Sequence, residues 1–225
     1  MEYFITGIDT DIGKTFVTRG LALAFEKSGK QTGVFKPLQS GAIIKGTEKL
    51  APDLEAIKQY STSINTFCSY LLEGEVSPAL AARMAGITID IEKIKKDFKT
   101  FSSLNDITFV EGAGGLLAPA TDDMLCADLI KALNIPIIIV TVPFLGRLNH
   151  TLLTIHYAKT NNIPIKGIII NKIPMTSNDD ATIHFKEELK MYTDIPILGC
   201  IQETKTPAKD TIIEMFDKTI KMFEL

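Results

Sequence analysis

The stretch Gly7-Ile8-Asp9-Thr10-Asp11-Ile12-Gly13-Lys14-Thr15 follows the apolar run Tyr3-Phe4-Ile5 and opens a segment in which Phe16, Val17, Leu21, Ala24 and Phe25 recur at helical spacing. A Gly-containing loop between a strand and a helix leaves few folding choices. Its glycines let the backbone approach phosphate oxygens, and its N–H groups and the helix N-terminus favour anions. Lys14 can reach the terminal phosphates, and the Thr15 hydroxyl can ligate Mg²⁺. The usual phosphate-binding loop has four residues between its first glycine and its Gly-Lys pair. Here five lie between Gly7 and Gly13, and the insert is acidic. The sequence predicts a nucleoside triphosphate site in which Asp11, Ile12, Gly13, Lys14, Thr15 and Phe16 line the nucleotide.

Short apolar runs alternate with longer amphipathic ones. Strands are expected near Tyr3–Thr6, Thr32–Phe35, Ile107–Val110, Ile137–Val142, Ile165–Ile170 and Ile195–Leu198, with helical segments between most of them. That alternation predicts a three-layer α/β architecture, a mainly parallel sheet with helices on both faces. Ile137-Ile138-Ile139-Val140 has no polar alternate and belongs at the sheet centre. At 225 residues, the chain is long enough for one such domain over 1–225, and nothing calls for a second. Gly41 to Pro52 and Thr204 to Lys209 read as loops, the first placed to close over a substrate.

Other partner classes find little support. No apolar run approaches the roughly 20 residues of a membrane helix, and no basic stretch followed by an apolar one opens the chain. The expectation is a cytoplasmic protein with no membrane role. Net charge is −3, and Lys93, Lys95, Lys96 and Lys99 sit among acidic neighbours. They read as the solvated face of a helix over Ile91 to Phe101, so nucleic acid is not an expected partner. Cys68, Cys126 and Cys200 are odd in number and widely spaced. They are expected to be reduced and buried, with neither a disulfide framework nor a zinc site.

In open parallel sheets ligands bind beyond the carboxyl ends of the strands. Lys36 and Ser40 follow the second strand and would offer a cation and a hydroxyl to the triphosphate, although a surface lysine beside a Pro- and Gly-containing turn has the same pattern. Glu111 ends a hydrophobic strand, where a hard cation bridging phosphates takes an oxygen ligand. It is followed by Gly112, Ala113 and Gly114, an anion-binding turn. Asp53 is a second Mg²⁺ candidate, although its local pattern reads more readily as a plain helix N-cap. Asn171 and Lys172, ending another strand, could read a nucleotide base or form a turn. His150, His156 and His184 lack metal-ligand spacing or a nucleophile partner, and none is assigned catalysis.

Taken in order, several uncommon motifs resemble the dethiobiotin synthetase family. They are the Gly7–Thr15 loop with its five-residue insert, Lys36-Pro-x-x-Ser40-Gly41, Asp53, Ser77-Pro78, Glu111-Gly-Ala-Gly-Gly115 and Leu145-Gly146-x-x-Asn149-His150. The matches run from residue 3 to about 172. The resemblance implies a P-loop NTPase type of fold and ATP-dependent carboxylation and ring closure of 7,8-diaminononanoate with CO₂. It implies that Lys14 contacts the β- and γ-phosphates, that Lys36 and Ser40 hold the carbamate or γ-phosphoryl group, and that Thr10 contacts substrate. Thr15, Asp53 and Glu111 would bind Mg²⁺. It further implies a homodimer in which the partner's segment, Leu145, Gly146 and Asn149 here, helps hold the substrate's carboxylate tail.

Three positions depart from the family pattern: Ala79 stands where histidine is usual, Arg147 where a small or apolar residue is, and Gly199 to Thr204 lacks a proline of the base-reading segment. The last predicts weaker or less selective recognition of adenine. Two other readings compete. A ParA- or MinD-like regulatory ATPase would carry an early signature lysine, where this chain has Ile8, Asp9 and Thr10. The Asp210 to Leu225 segment, with Ile212, Ile213, Met215, Phe216, Ile220 and Phe223, reads as packing on the sheet rather than on a membrane. An amide synthetase of the cobyrinic acid type would carry a glutaminase domain, for which the chain is too short.

Overall fold

The computed structural model describes residues 1–223. β1 (Glu2–Gly7) feeds α1 (Lys14–Lys27) and β2 (Thr32–Gln39). A hairpin of β3 (Ile43–Lys45) and β4 (Glu48–Leu50), then α2 (Pro52–Lys58), lead to β5 (Asn65–Leu71). Next come α3 (Pro78–Ala85), α4 (Ile91–Ser102) and β6 (Ile107–Gly115), then α5 (Cys126–Leu133), β7 (Ile137–Thr141) and α6 (Arg147–Thr160). β8 (Ile165–Ile173), α7 (Asp180–Tyr192), β9 (Ile197–Gln202) and α8 (Lys209–Lys221) complete the order.

Seven strands form one sheet in the order β5-β2-β6-β1-β7-β8-β9, and every pairing in it is parallel. The apolar runs explain its centre. Ile138 and Val140 face one helical layer with Val17, Leu21 and Ile212, while Ile137 and Ile139 face the other with Leu129 and Ile155. A strand buried on both faces has no place for a polar alternate. α8 docks on α1, Phe216 lying so close over Gly20 that any side chain there would collide with its ring. The C-terminal segment therefore packs inward as expected, and residues 224 and 225 lie outside the described residues. Among the described residues no helix is long and apolar enough to cross a membrane.

The structure corrects several details. The stretch 41–52 expected as loop holds the exposed β3–β4 hairpin. The edge strand β5 was not expected from the apolar pattern, because Asn65-Thr66-Phe67-Cys68-Ser69-Tyr70-Leu71 is only half-buried and mixes polar with apolar residues. Of the cysteines only Cys126 is buried; Cys68 is half-buried and Cys200 is exposed. Burial pushes the Cys126 thiol up to about 11, which keeps it protonated and inert.

Candidate active site

The loop between β1 and α1 is held in a strained form. Asp11 has φ 55° and Gly13, which precedes α1, has φ 85°. A Cβ at Gly13 would meet both the left-handed penalty and the Asn171 amide. Asn171 is buried and its Nδ2 donates to the Ile12 carbonyl at 2.9 Å, while Lys172 Nζ donates to the Asp11 carbonyl at 2.6 Å. The two residues expected beside a base brace the loop backbone. No side chain caps the start of α1, and its first turn carries no acid, so its N–H groups remain open to an anion. Lys14 folds back so that its Nζ donates to the Asp9 carbonyl at 2.9 Å. Burial and the neighbouring Lys36 push its pKa below the ordinary lysine range.

Beside this loop lies a buried charge cluster assembled from adjacent strands. Lys36 on β2 places Nζ 2.5 Å from Asp53 Oδ2 and 2.9 Å from Glu111 Oε1 on β6. Thr15, in the first turn of α1, places Oγ1 3.1 Å from Asp53 Oδ1 and 2.8 Å from Glu111 Oε1. Burial opposes charge on Lys36, but the Glu111 and Asp53 carboxylates outweigh it and hold the ammonium above its ordinary pKa. For Asp53 burial raises the pKa, and the pull of Lys36 with the Lys36 and Thr15 hydrogen bonds reverses it, leaving a carboxylate below the usual range. Asp53 is the second residue of α2; the N-cap is Ala51, so the capping role considered for Asp53 is not the one it fills.

This donor set suits a hard divalent cation. Thr15, Asp53 and Glu111 offer only oxygens, and Glu111 Oε2 is buried with no hydrogen-bond partner. A hydroxyl has one proton, so Thr15 cannot donate to Asp53 Oδ1 and Glu111 Oε1 at once, and Glu111 Oε2 has no donor at all.

Three cavities surround the loop. One of about 470 Å³ is lined by Lys14, Thr15, Lys36, Ser40, Asp53 and Glu111. A second of about 410 Å³ lies between the insert and α6, lined by Asp9, Thr10, His150, Leu153, Thr154 and Tyr157 among others. Thr10 and Gly114 line both, so the two meet there. A smaller one of about 140 Å³ is lined by Gly13, Phe16, Lys172, Gln202, Glu203 and Thr204, with Asn171 at its wall. Leu145, Gly146 and Asn149 line none of the three; they are exposed on the turn before α6 and in its first turn, Leu145 at 85%. The sequence reading missed the α6 wall. Its signal was the i, i+3, i+4, i+7 spacing of His150, Leu153, Thr154 and Tyr157.

Comparison with known proteins gives the family and the fold. Residues 1–209 match the family model described as an AAA domain. The ATP-dependent dethiobiotin synthetase of Bacillus subtilis (strain 168) is 32% identical over 220 residues, 98% of this chain and 95% of that protein. The enzyme of the same name from Thermodesulfovibrio yellowstonii is 36% identical, covering 99% and 96%. Among solved structures, the septum site-determining protein MinD of Pyrococcus horikoshii, complexed with Mg-ADP, superimposes with a TM-score of 0.64 at 19% identity over 100% of this chain and 96% of that one. A ParA family ATPase from Chlorobium tepidum reaches 0.58 at 16% identity, over 98% and 90%. At such identities the MinD and ParA likeness is one of fold alone. The synthetases instead match along nearly the whole chain at 32% and 36% identity, and this chain belongs to the dethiobiotin synthetase family.

Proposed function

We propose that the chain is a cytoplasmic, ATP-dependent ligase that carboxylates 7,8-diaminononanoate with CO₂ and closes the ureido ring of dethiobiotin, releasing ADP and phosphate. The observation that carries this reading is the junction at Thr10 of a charged cavity beside the phosphate loop with a second cavity walled partly by Leu116, Leu153 and Tyr157. The second has room for an alkyl chain, and the reacting end would then face Lys36.

In this reaction one amine attacks CO₂, forming an N–C bond and losing a proton to give a carbamate. A carbamate oxygen then attacks the γ-phosphorus, ADP departs, and the second amine displaces phosphate from the carbonyl carbon. Anion meets anion in the phosphorylation, so catalysis must come from positioning and charge neutralisation. Lys14 and Lys36 both line the charged cavity and would supply its cations, with Ser40 as a hydroxyl donor and Thr10 against the substrate. Thr15, Asp53 and Glu111 would hold Mg²⁺, which when bound neutralises charge on the bridging phosphate oxygens.

The exposed apolar side chains Phe144, Leu145 and Leu153 favour a homodimer, in which Leu145, Gly146 and Asn149 would hold the carboxylate tail of a substrate in the other subunit. The test of the reaction is direct: the purified protein with ATP, Mg²⁺, bicarbonate and the diamine should form the ureido product. Intact ATP hydrolysis without that product would discard the assignment.

Nucleotide choice rests on the cavity of about 140 Å³ beside Asn171. Gln202 and Glu203 there are exposed, and the segment lacks the proline that would stiffen it. Strong discrimination needs fixed groups matched to the base edge. ATP, GTP and CTP are therefore expected to support turnover with kcat/KM values within about 10-fold of one another. A far larger preference for ATP in parallel steady-state assays would contradict this.

A further inference from the structure

We propose that Arg147 is a positioning residue for the phosphate loop, acting through Asp9 on Lys14 and Thr10. The five-residue insert is one residue longer than the usual loop and contains a non-glycine residue in the left-handed region, so its backbone needs external support. Its carboxyl half has that support from β8, through Asn171 and Lys172 on the carbonyls of Ile12 and Asp11.

Its amino half is held from α6. Arg147 Nη1 donates to Asp9 Oδ2 at 3.0 Å. Asp9 Oδ1 accepts the Thr10 N–H at 2.8 Å, and the Asp9 carbonyl accepts Lys14 Nζ at 2.9 Å. One residue thus joins the guanidinium to the threonine that lines both cavities and to the lysine that meets the phosphates. The Thr10 N–H and the Arg147 guanidinium keep the Asp9 carboxyl below its usual pKa, which maintains the pair.

The anchor behind Arg147 is rigid. Thr151 Oγ1, on α6, donates to the Arg147 carbonyl at 2.6 Å and pairs at 2.7 Å with Thr141 Oγ1 at the end of β7, both threonines being fully buried. The Arg147 guanidinium also lies 3.1 Å from His150 Nδ1. A continuous line runs from a central strand through α6 to the insert, and a small or apolar residue at 147 could not complete it.

This inference rests on the reading of the loop as an ATP site. Its test is a double-mutant cycle of Arg147→Ala and Asp9→Asn, with Arg147→Lys alongside. Each single change is expected to lower kcat about 10-fold, a loss typical of slight misplacement, with the KM for the diamine within about 2-fold of wild type. The double variant should be no worse than the poorer single, since both break one link. Arg147→Lys should lie within about 3-fold of wild type, and all melting temperatures within about 2 °C.

Near-native kcat for Arg147→Ala, multiplicative losses in the double variant, or an effect confined to the KM of the diamine would each overturn the proposal. ATP affinity, measured by calorimetry without turnover, should weaken about 5-fold in each single variant and no further in the double. A wild type that binds ATP but makes no product would count against the assigned reaction, while the binding cycle would still decide the role of Arg147.

Discussion

Lys36→Ala should lose at least ~100-fold in turnover and remain folded, because it removes a preformed cation from where negative charge develops. The side chain is all but inaccessible and lies between two carboxylates, which alanine would leave without their cation. Breaking a fully buried pair costs about 3–5 kcal/mol, and the partial exposure of Asp53 reduces that here. The variant should melt lower than wild type, and millimolar Mg²⁺ should recover more of its melting temperature than it adds to wild type. Circular dichroism would establish the fold and steady-state kinetics the loss. Near-native turnover would refute the role given to Lys36.

Lys14→Ala is expected to cost at least ~100-fold as well, with a different signature. Lys14 contacts the loop through a single hydrogen bond to the Asp9 carbonyl, while the Lys36–Asp53–Glu111 cluster does not depend on it. Its melting temperature should stay within about 2 °C of wild type, and both kcat and the KM for ATP should suffer, since this lysine would meet the phosphates before and during transfer. An unchanged KM for ATP with only kcat reduced would place Lys14 outside nucleotide binding.

The two lysines also show what the sequence made legible. Lys14 sits in a motif whose spacing carries a mechanism, and its strand-loop-helix setting was readable from apolar periodicity. Lys36 was ambiguous on its own pattern, because whether a lysine after a strand faces solvent or a carboxylate depends on which strand lies next to it. β2 proves to run to Gln39 and β6 to Gly115, so Lys36 and Glu111 are inside strands rather than after them. Apolarity marks where a strand is buried among hydrophobic residues, not where its hydrogen bonding stops.

β5 and the β3–β4 hairpin escaped for the same reason, being held by backbone pairing at an edge or in solvent without an apolar stripe. Asn171 is expected as a site residue from its place in an apolar strand, but its bond to the Ile12 carbonyl depends on a juxtaposition 159 residues apart in the chain. The Arg147–Asp9 link, 138 residues apart, was likewise beyond local pattern.

The order of the strands has a consequence for how the protein is made. Lys14, Thr15, Lys36 and Asp53 all lie in the first quarter of the chain, yet β2 does not adjoin β1, because β6 is inserted between them. A ribosome that has released only the segment before Ile107 has delivered four of the charged and hydroxyl groups but not the strand that sets their spacing. Nucleotide therefore cannot reward the nascent chain with binding energy until residues up to Gly115 are available, and the early half must avoid aggregation by other means.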